Sequence, residues 1–211
     1  MQICKGETKY IMLINQPNVR LDIEQQDNSR LYVYVVNVGE DSAYNQIYVR
    51  QIGKHSETYI YGVALLAGEA MVNNQLQVVH GVSNGKSEQL FKYAVADHAQ
   101  GSFKAELIIN QDAQHVEAHQ TNRNILLSDY AKMHTEPQLE IYADDVKASH
   151  GASTGRLSED ALFYMQQRGI DIHSAYTLLL NAFFADVVAL MPNKEQNSIS
   201  TLISEQLNSV L

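Results

Sequence analysis

From Thr8 to about Lys147, apolar and polar positions alternate in short runs. Leu31 to Val38 reads LYVYVVNV and Ser56 to Leu66 reads SETYIYGVALL, both rich in β-branched and aromatic residues. Phe103 to Ile109, His115 to Thr121 and Gln138 to Ala143 continue the pattern, with turn chemistry at Asn73-Asn74, Asn84-Gly85 and Asn110-Gln111-Asp112. No helical periodicity separates these segments. They predict an all-β body: a sandwich, a barrel or a β-helix. No crisp repeat spaces them, so periodicity alone leaves that choice open.

The pattern changes at Ser158, a good helix N-cap followed by Glu159 and Asp160, where the helix dipole favours negative charge. Leu162 and Met165 share a face, and Arg168-Gly169 supplies a stop. A second helix, Ile172 to Leu190, is apolar nearly all round and is expected to be buried on most sides. Pro192 ends it. A third begins at Asn193, with Ile199, Leu202, Ile203, Leu207 and Val210 at helical spacing. The expected division is a β body over 1–157 and a helical segment over 158–211.

An apolar share of 45% supports a real core, and Pro17, Pro137 and Pro192 are the only prolines. The formal charge of −9 disfavours nucleic acid and anionic membranes as partners. Cys4 is the single cysteine, which excludes a disulfide framework and a Cys-only metal site and suits a reducing, cytosolic compartment. No apolar run follows the lysine of MQICKGETKY, so no signal peptide is read there. The stretch Ala175 to Met191 is interrupted by Thr177, Asn181 and Asp186 and falls short of the roughly 20 apolar residues of a membrane span.

Candidate chemistry is sparse. His115, Glu117 and His119 alternate, which on a strand places them on one face, but the outer pair would lie about 13 Å apart, too far to share a metal. His80 and His98 sit near turns and read as structural. The glycines at Gly81, Gly85 and Gly151 to Gly155 lack the Lys-Ser/Thr of a phosphate loop, and no Gly-x-Ser-x-Gly elbow occurs. Asp144-Asp145 reads as a turn or a solvated edge. Phe163, Tyr164, Arg168 and the Leu178 to Phe184 stretch have the composition of interface anchors, or of an internal helical core.

One segment is specific. From Asn122 to Ile170 the chain carries an asparagine–apolar–serine run (Asn124 to Ser128), then Pro137 to Ile141, then Asp144-Asp145-Val146-Lys147. Ser149-His150-Gly151-Ala152 with Gly155 follows, and finally Phe163-Tyr164 with Arg168-Gly169-Ile170. In order and spacing this resembles the C-terminal signature of the SufB/SufD family of iron–sulfur cluster assembly scaffolds. A weaker likeness runs upstream through His80, Asn84, Ser87 and Leu90 to Val95, and fades before about His80.

The resemblance implies a right-handed parallel β-helix with a C-terminal α-helical segment. It implies a non-enzymatic scaffold that pairs with a SufB-like subunit or a second copy, and docks a SufC-like ATPase on its helices through residues such as Phe163, Tyr164 and Arg168. Ser149-His150-Gly151 is the SufD-like form of the motif. His150 becomes the candidate metal ligand and cluster-assembly residue, serving a transient iron–sulfur cluster shared with a partner rather than a resident cofactor. Read from chemistry alone, a lone histidine caps a loop or packs at a strand-to-helix junction. The family commonly has a cysteine two residues earlier, where this chain has Ala148. It also usually carries a longer N-terminal region. Two rivals follow: a degenerate, homodimeric SufD-like paralogue, and a β-helix enzyme acting on polysaccharide, which lacks the clustered carboxylates it would need.

Overall fold

In a computed structural model, residues 1–210 are described. Twelve strands precede three helices: β1 (Gln2–Ile3), β2 (Thr8–Ile14), β3 (Asn18–Gln25), β4 (Arg30–Gly39), β5 (Ala43–Gln51), β6 (Glu57–Leu66), β7 (Met71–His80), β8 (Lys86–Val95), β9 (Gln100–Ile109), β10 (Val116–Leu126), β11 (Lys132–Ile141), β12 (Val146–Gly155), α1 (Glu159–Gln167), α2 (Ile172–Ala189) and α3 (Asn193–Val210). The odd strands form one six-stranded sheet and the even strands another, each in sequential order. Every pairing is parallel, as in β7 with β9 and β10 with β12. The chain therefore winds as a parallel β-helix, with β1 and β2 at one end and β11 and β12 at the other.

Alternation explains the core. In β7 and β9 every second residue is buried, because one face of each strand looks into the solenoid and the other outward. The inward residues Ile47, Leu76, Ala105, Val33 and Ile60 belong to one cluster running along the axis. The second halves of β4, β6 and β8 are buried on both faces instead. These are the continuous runs VVNV, GVALL and YAV, and their outward side is covered by helices.

Leu180, Phe184 and Val187 of α2 and Met191 just after it, with Ile199, Ile203 and Leu207 of α3, pack on Val36, Val38, Val63, Leu65 and Ala94. Each such fully buried side chain contributes about 2 kcal/mol relative to exposure. On its charged half the same sheet face carries Tyr10, Tyr32 and Tyr59, stacked at 4.9 Å centroid spacing, one per strand.

Most expected segments lie where the pattern put them, and four readings need correction. Asn73-Asn74 is not a turn but lies inside β7: Asn74 is buried, accepts from Asn45 Nδ2 at 2.8 Å and donates to Tyr93 Oη at 2.6 Å. An asparagine is satisfied inside the sheet when equivalent residues on the next rung supply its partners. The strand read over Gln138 to Ala143 is present with other bounds, as β11, Lys132–Ile141. His150, expected to cap a loop or pack at a strand-to-helix junction, lies within strand β12, the last before α1. Finally, α2 buries only Ala175, Leu180, Phe184, Val187 and Val188, and leaves Ile172 and Leu178 exposed.

By length and composition alone α2 could cross a membrane; here it lies along the even sheet and α3. The start of α1 is capped by Ser158, whose side chain accepts from Ala161 N, and Gly169 at φ 83° closes its end.

Candidate functional site

The last rung carries the histidine. β10 and β12 are in register, so Val146, Ala148, His150, Ala152 and Thr154 lie beside Val116, Ala118, Gln120, Asn122 and Asn124. Those five β10 residues are buried inside the solenoid. His150 therefore stands on the inward face, yet it is exposed because no further rung covers it. It continues a polar column, with Gln120 beside it and Gln89 one strand further in. Gln120 Nε2 donates to the Ala105 carbonyl at 3.2 Å, while Gln120 Oε1 and both amide atoms of Gln89 are buried without a partner. Ala148 shares the inward face two residues away and packs on the core, so the position next to the imidazole offers a methyl group and no thiol.

The neighbouring polar groups are committed to one another on the outer surface. Glu117 pairs with Lys147 at 3.2 Å, which holds the Glu117 carboxyl below its ordinary pKa. His119 Nδ1 lies 2.8 Å from Ser149 Oγ. His115 does not join that face: it sits before β10 at φ 59° and meets Asp145 at 2.9 Å. Asp144 and Asp145 form the bend between β11 and β12. Among the described residues, no three His, Cys, Asp or Glu side chains converge on a metal position. Cys4 is exposed in the turn after β1, at the opposite end of the stack from His150.

The last rung also ends both sheets. β11 and β12 have neighbours on one side only, leaving backbone donors and acceptors along two parallel edges. Pro137 is tolerated in β11 because an edge strand can forgo a ladder hydrogen bond. Met133, Thr135 and Leu139 on β11 and Val146 on β12 are only half covered.

The helices supply a second surface. Phe163 and Tyr164 are 61% and 60% exposed, and the Arg168 guanidinium carbon lies 5.2 Å from the Tyr164 ring centroid. Ile172 and Leu178 of α2 are exposed apolar side chains as well, while Leu162 is buried. Of the Leu178 to Phe184 stretch, Leu178 faces solvent and Leu180 and Phe184 are interior. The Gln89–Gln120 column was not legible beforehand, because nothing local in sequence aligns residues of separate rungs.

Comparison with known proteins bears on both surfaces. The family model for the SufBD core domain of the SUF iron–sulfur cluster assembly system matches residues 15–183. This chain belongs to the SufBD family. The match starts far upstream of His80, so the family likeness covers the solenoid as well as the signature segment. The chain is 32% identical over 170 residues to an iron-sulfur cluster assembly SufBD family protein of Synechocystis sp., covering 81% of this chain and 38% of that one. It is 33% identical over 175 residues to the chloroplastic protein ABCI7 of Arabidopsis thaliana, covering 82% and 37%. To the iron-sulfur cluster assembly protein SufD of Escherichia coli it is 34% identical over 135 residues, covering 64% and 32%. The chain thus spans less than two fifths of the length of each of these relatives.

Proposed function

We propose that this chain is a SufD-like scaffold element of iron–sulfur cluster assembly, with no catalytic activity of its own. It pairs through its last rung with a SufB-like subunit or a second copy, and docks a SufC-like ATPase on α1 and α2. One observation carries the reading: in a SufBD-family chain, the signature segment forms both the open last rung and the exposed aromatic pair of α1, Phe163 and Tyr164. An open rung gains partners by adding strands to its edges. An exposed aromatic pair beside an arginine suits an anchor in a partner's pocket.

The cluster is cargo, held only in passing. His150 offers one imidazole nitrogen, a reasonable ligand for iron, and every further ligand comes from the partner. Ala148 removes the thiolate that would have accompanied it. The lone reduced Cys4 suits a cytoplasmic setting.

The first experiment is retention of the full chain on an immobilised SufC-like ATPase from the same organism. Binding is expected, and loss of binding with a folded chain refutes the docking half of the reading. A second reading, favoured by Ala148, is a homodimeric paralogue that assembles no cluster. His150→Ala in a complemented strain separates the two: impaired growth under iron limitation supports the scaffold, and wild-type growth supports the paralogue.

A further inference from the structure

The helices meet the solenoid across a largely apolar surface, and one charged side chain is buried in it. Lys92 lies on the outward face of β8, between Val63 and Arg123 on the adjacent strands. Its side chain is 5% exposed. The ammonium donates to the Phe183 carbonyl at 2.6 Å and to the Asp186 carboxylate at 2.7 Å, and lies 4.7 Å from the Phe183 ring centroid. Phe183 and Asp186 are three residues apart on α2, hence on one helix face. The carboxylate belongs to a side chain that is 55% exposed, so a buried cation is answered by an anion at the surface.

Apolar contact is non-directional, and ridges of Val, Leu and Phe accept shifted registers at small cost. A buried ammonium does not. Only one placement of α2 brings a backbone carbonyl, a carboxylate and a ring face to Lys92 together. Any slip along the sheet leaves a desolvated charge without partners, which is far more costly than a displaced methyl group.

We infer that Lys92 is a positioning residue that selects one pose of the helical segment on the solenoid, and so fixes how α1 and α2 present their exposed face. The consequence for docking rests on the function proposed above; the selection of the pose does not.

The test uses the full chain with Cys4→Ser and spin labels at Asp112→Cys, in a solenoid turn, and Asn208→Cys, on α3. Wild-type Lys92 is expected to give one narrow distance. Lys92→Met keeps the volume and removes the charge, so it is expected to melt at or above the parent temperature while the distance broadens or splits. If the competent pose falls to about a tenth of the population, apparent affinity for the SufC-like ATPase falls about tenfold.

An unchanged narrow distance in Lys92→Met overturns the inference. If that variant does not fold, Asp186→Asn decides, since its side chain is half exposed: broadening supports the inference, and an unaltered distance overturns it. Should the parent chain fail to bind the ATPase, the docking proposal falls, and the distance measurement still decides the role of Lys92.

Discussion

His80 is a histidine kept neutral by its place in the stack. It is fully buried at the end of β7, with Nε2 2.8 Å from Ser87 Oγ, and burial pushes its pKa down to about 4. An unfolded chain takes up a proton near pH 6.5, so between 6.5 and about 4 the unfolded state binds more protons than the native one. The contribution of His80 to stability is complete above pH 6.5 and is lost as pH falls to about 4, amounting to about 3 kcal/mol. Urea melts of wild type and His80→Gln at pH 7 and pH 4.5 are expected to show the wild type losing more stability on acidification.

Gly62 makes a steric prediction: a Cβ there would lie 2.1 Å from the Phe91 ring. Gly62→Ala is expected to cost about 1–3 kcal/mol by overpacking, with partial recovery in Gly62→Ala/Phe91→Leu, read by thermal melting. The burial of His80 follows from its place in an alternating run. The tight fit at Gly62 does not, because Phe91 arrives from the next rung.

At the scale of elements, strands and helices were legible from period alone. The errors came from context. Asn73-Asn74 has turn chemistry, but Asn45 and Tyr93 satisfy Asn74 inside β7, and β12 looks like a loop because its Gly, Ala and Ser residues have weak strand propensity. Pairing with β10 along ten residues overrides that propensity. The nearly all-apolar α2 read as buried on most sides, whereas Ile172 and Leu178 are exposed. Phe163→Ala with Tyr164→Ala is therefore expected to leave stability within about 0.5 kcal/mol, since both side chains face solvent. The same double variant should lose retention on the SufC-like ATPase. A large drop in melting temperature would instead place these residues in the helical core.

For the whole molecule, the decisive feature is that the solenoid ends at β11 and β12 without a cover. If that end is the pairing surface, an inward-pointing charge there should block assembly without harming the fold, as natural edge strands use charge to avoid unwanted pairing. Ala152→Lys is exposed enough to fold, and sedimentation is expected to show weaker association with a SufB-like subunit or with itself. Unchanged association would move the interface elsewhere. His150 belongs to this scale too: its chemistry is that of any imidazole, and its position at the mouth of the Gln89–Gln120 column comes from the stacking of rungs.

By itself the sequence determined the β-then-α order, the helix caps, the family through the Asn122–Ile170 segment, and the lack of a thiol beside His150. These depend on neighbours a few residues apart, where local chemistry is sufficient. Tertiary structure decided the rest: which strands stack, that His150 faces inward at an open end, and that Lys92 grips α2. Equivalent positions such as Tyr32, Tyr59, Glu88, His119 and Ser149 are unevenly spaced along the chain. No fixed period therefore announces the rungs, and only hydrogen bonding between distant strands brings those residues into one column.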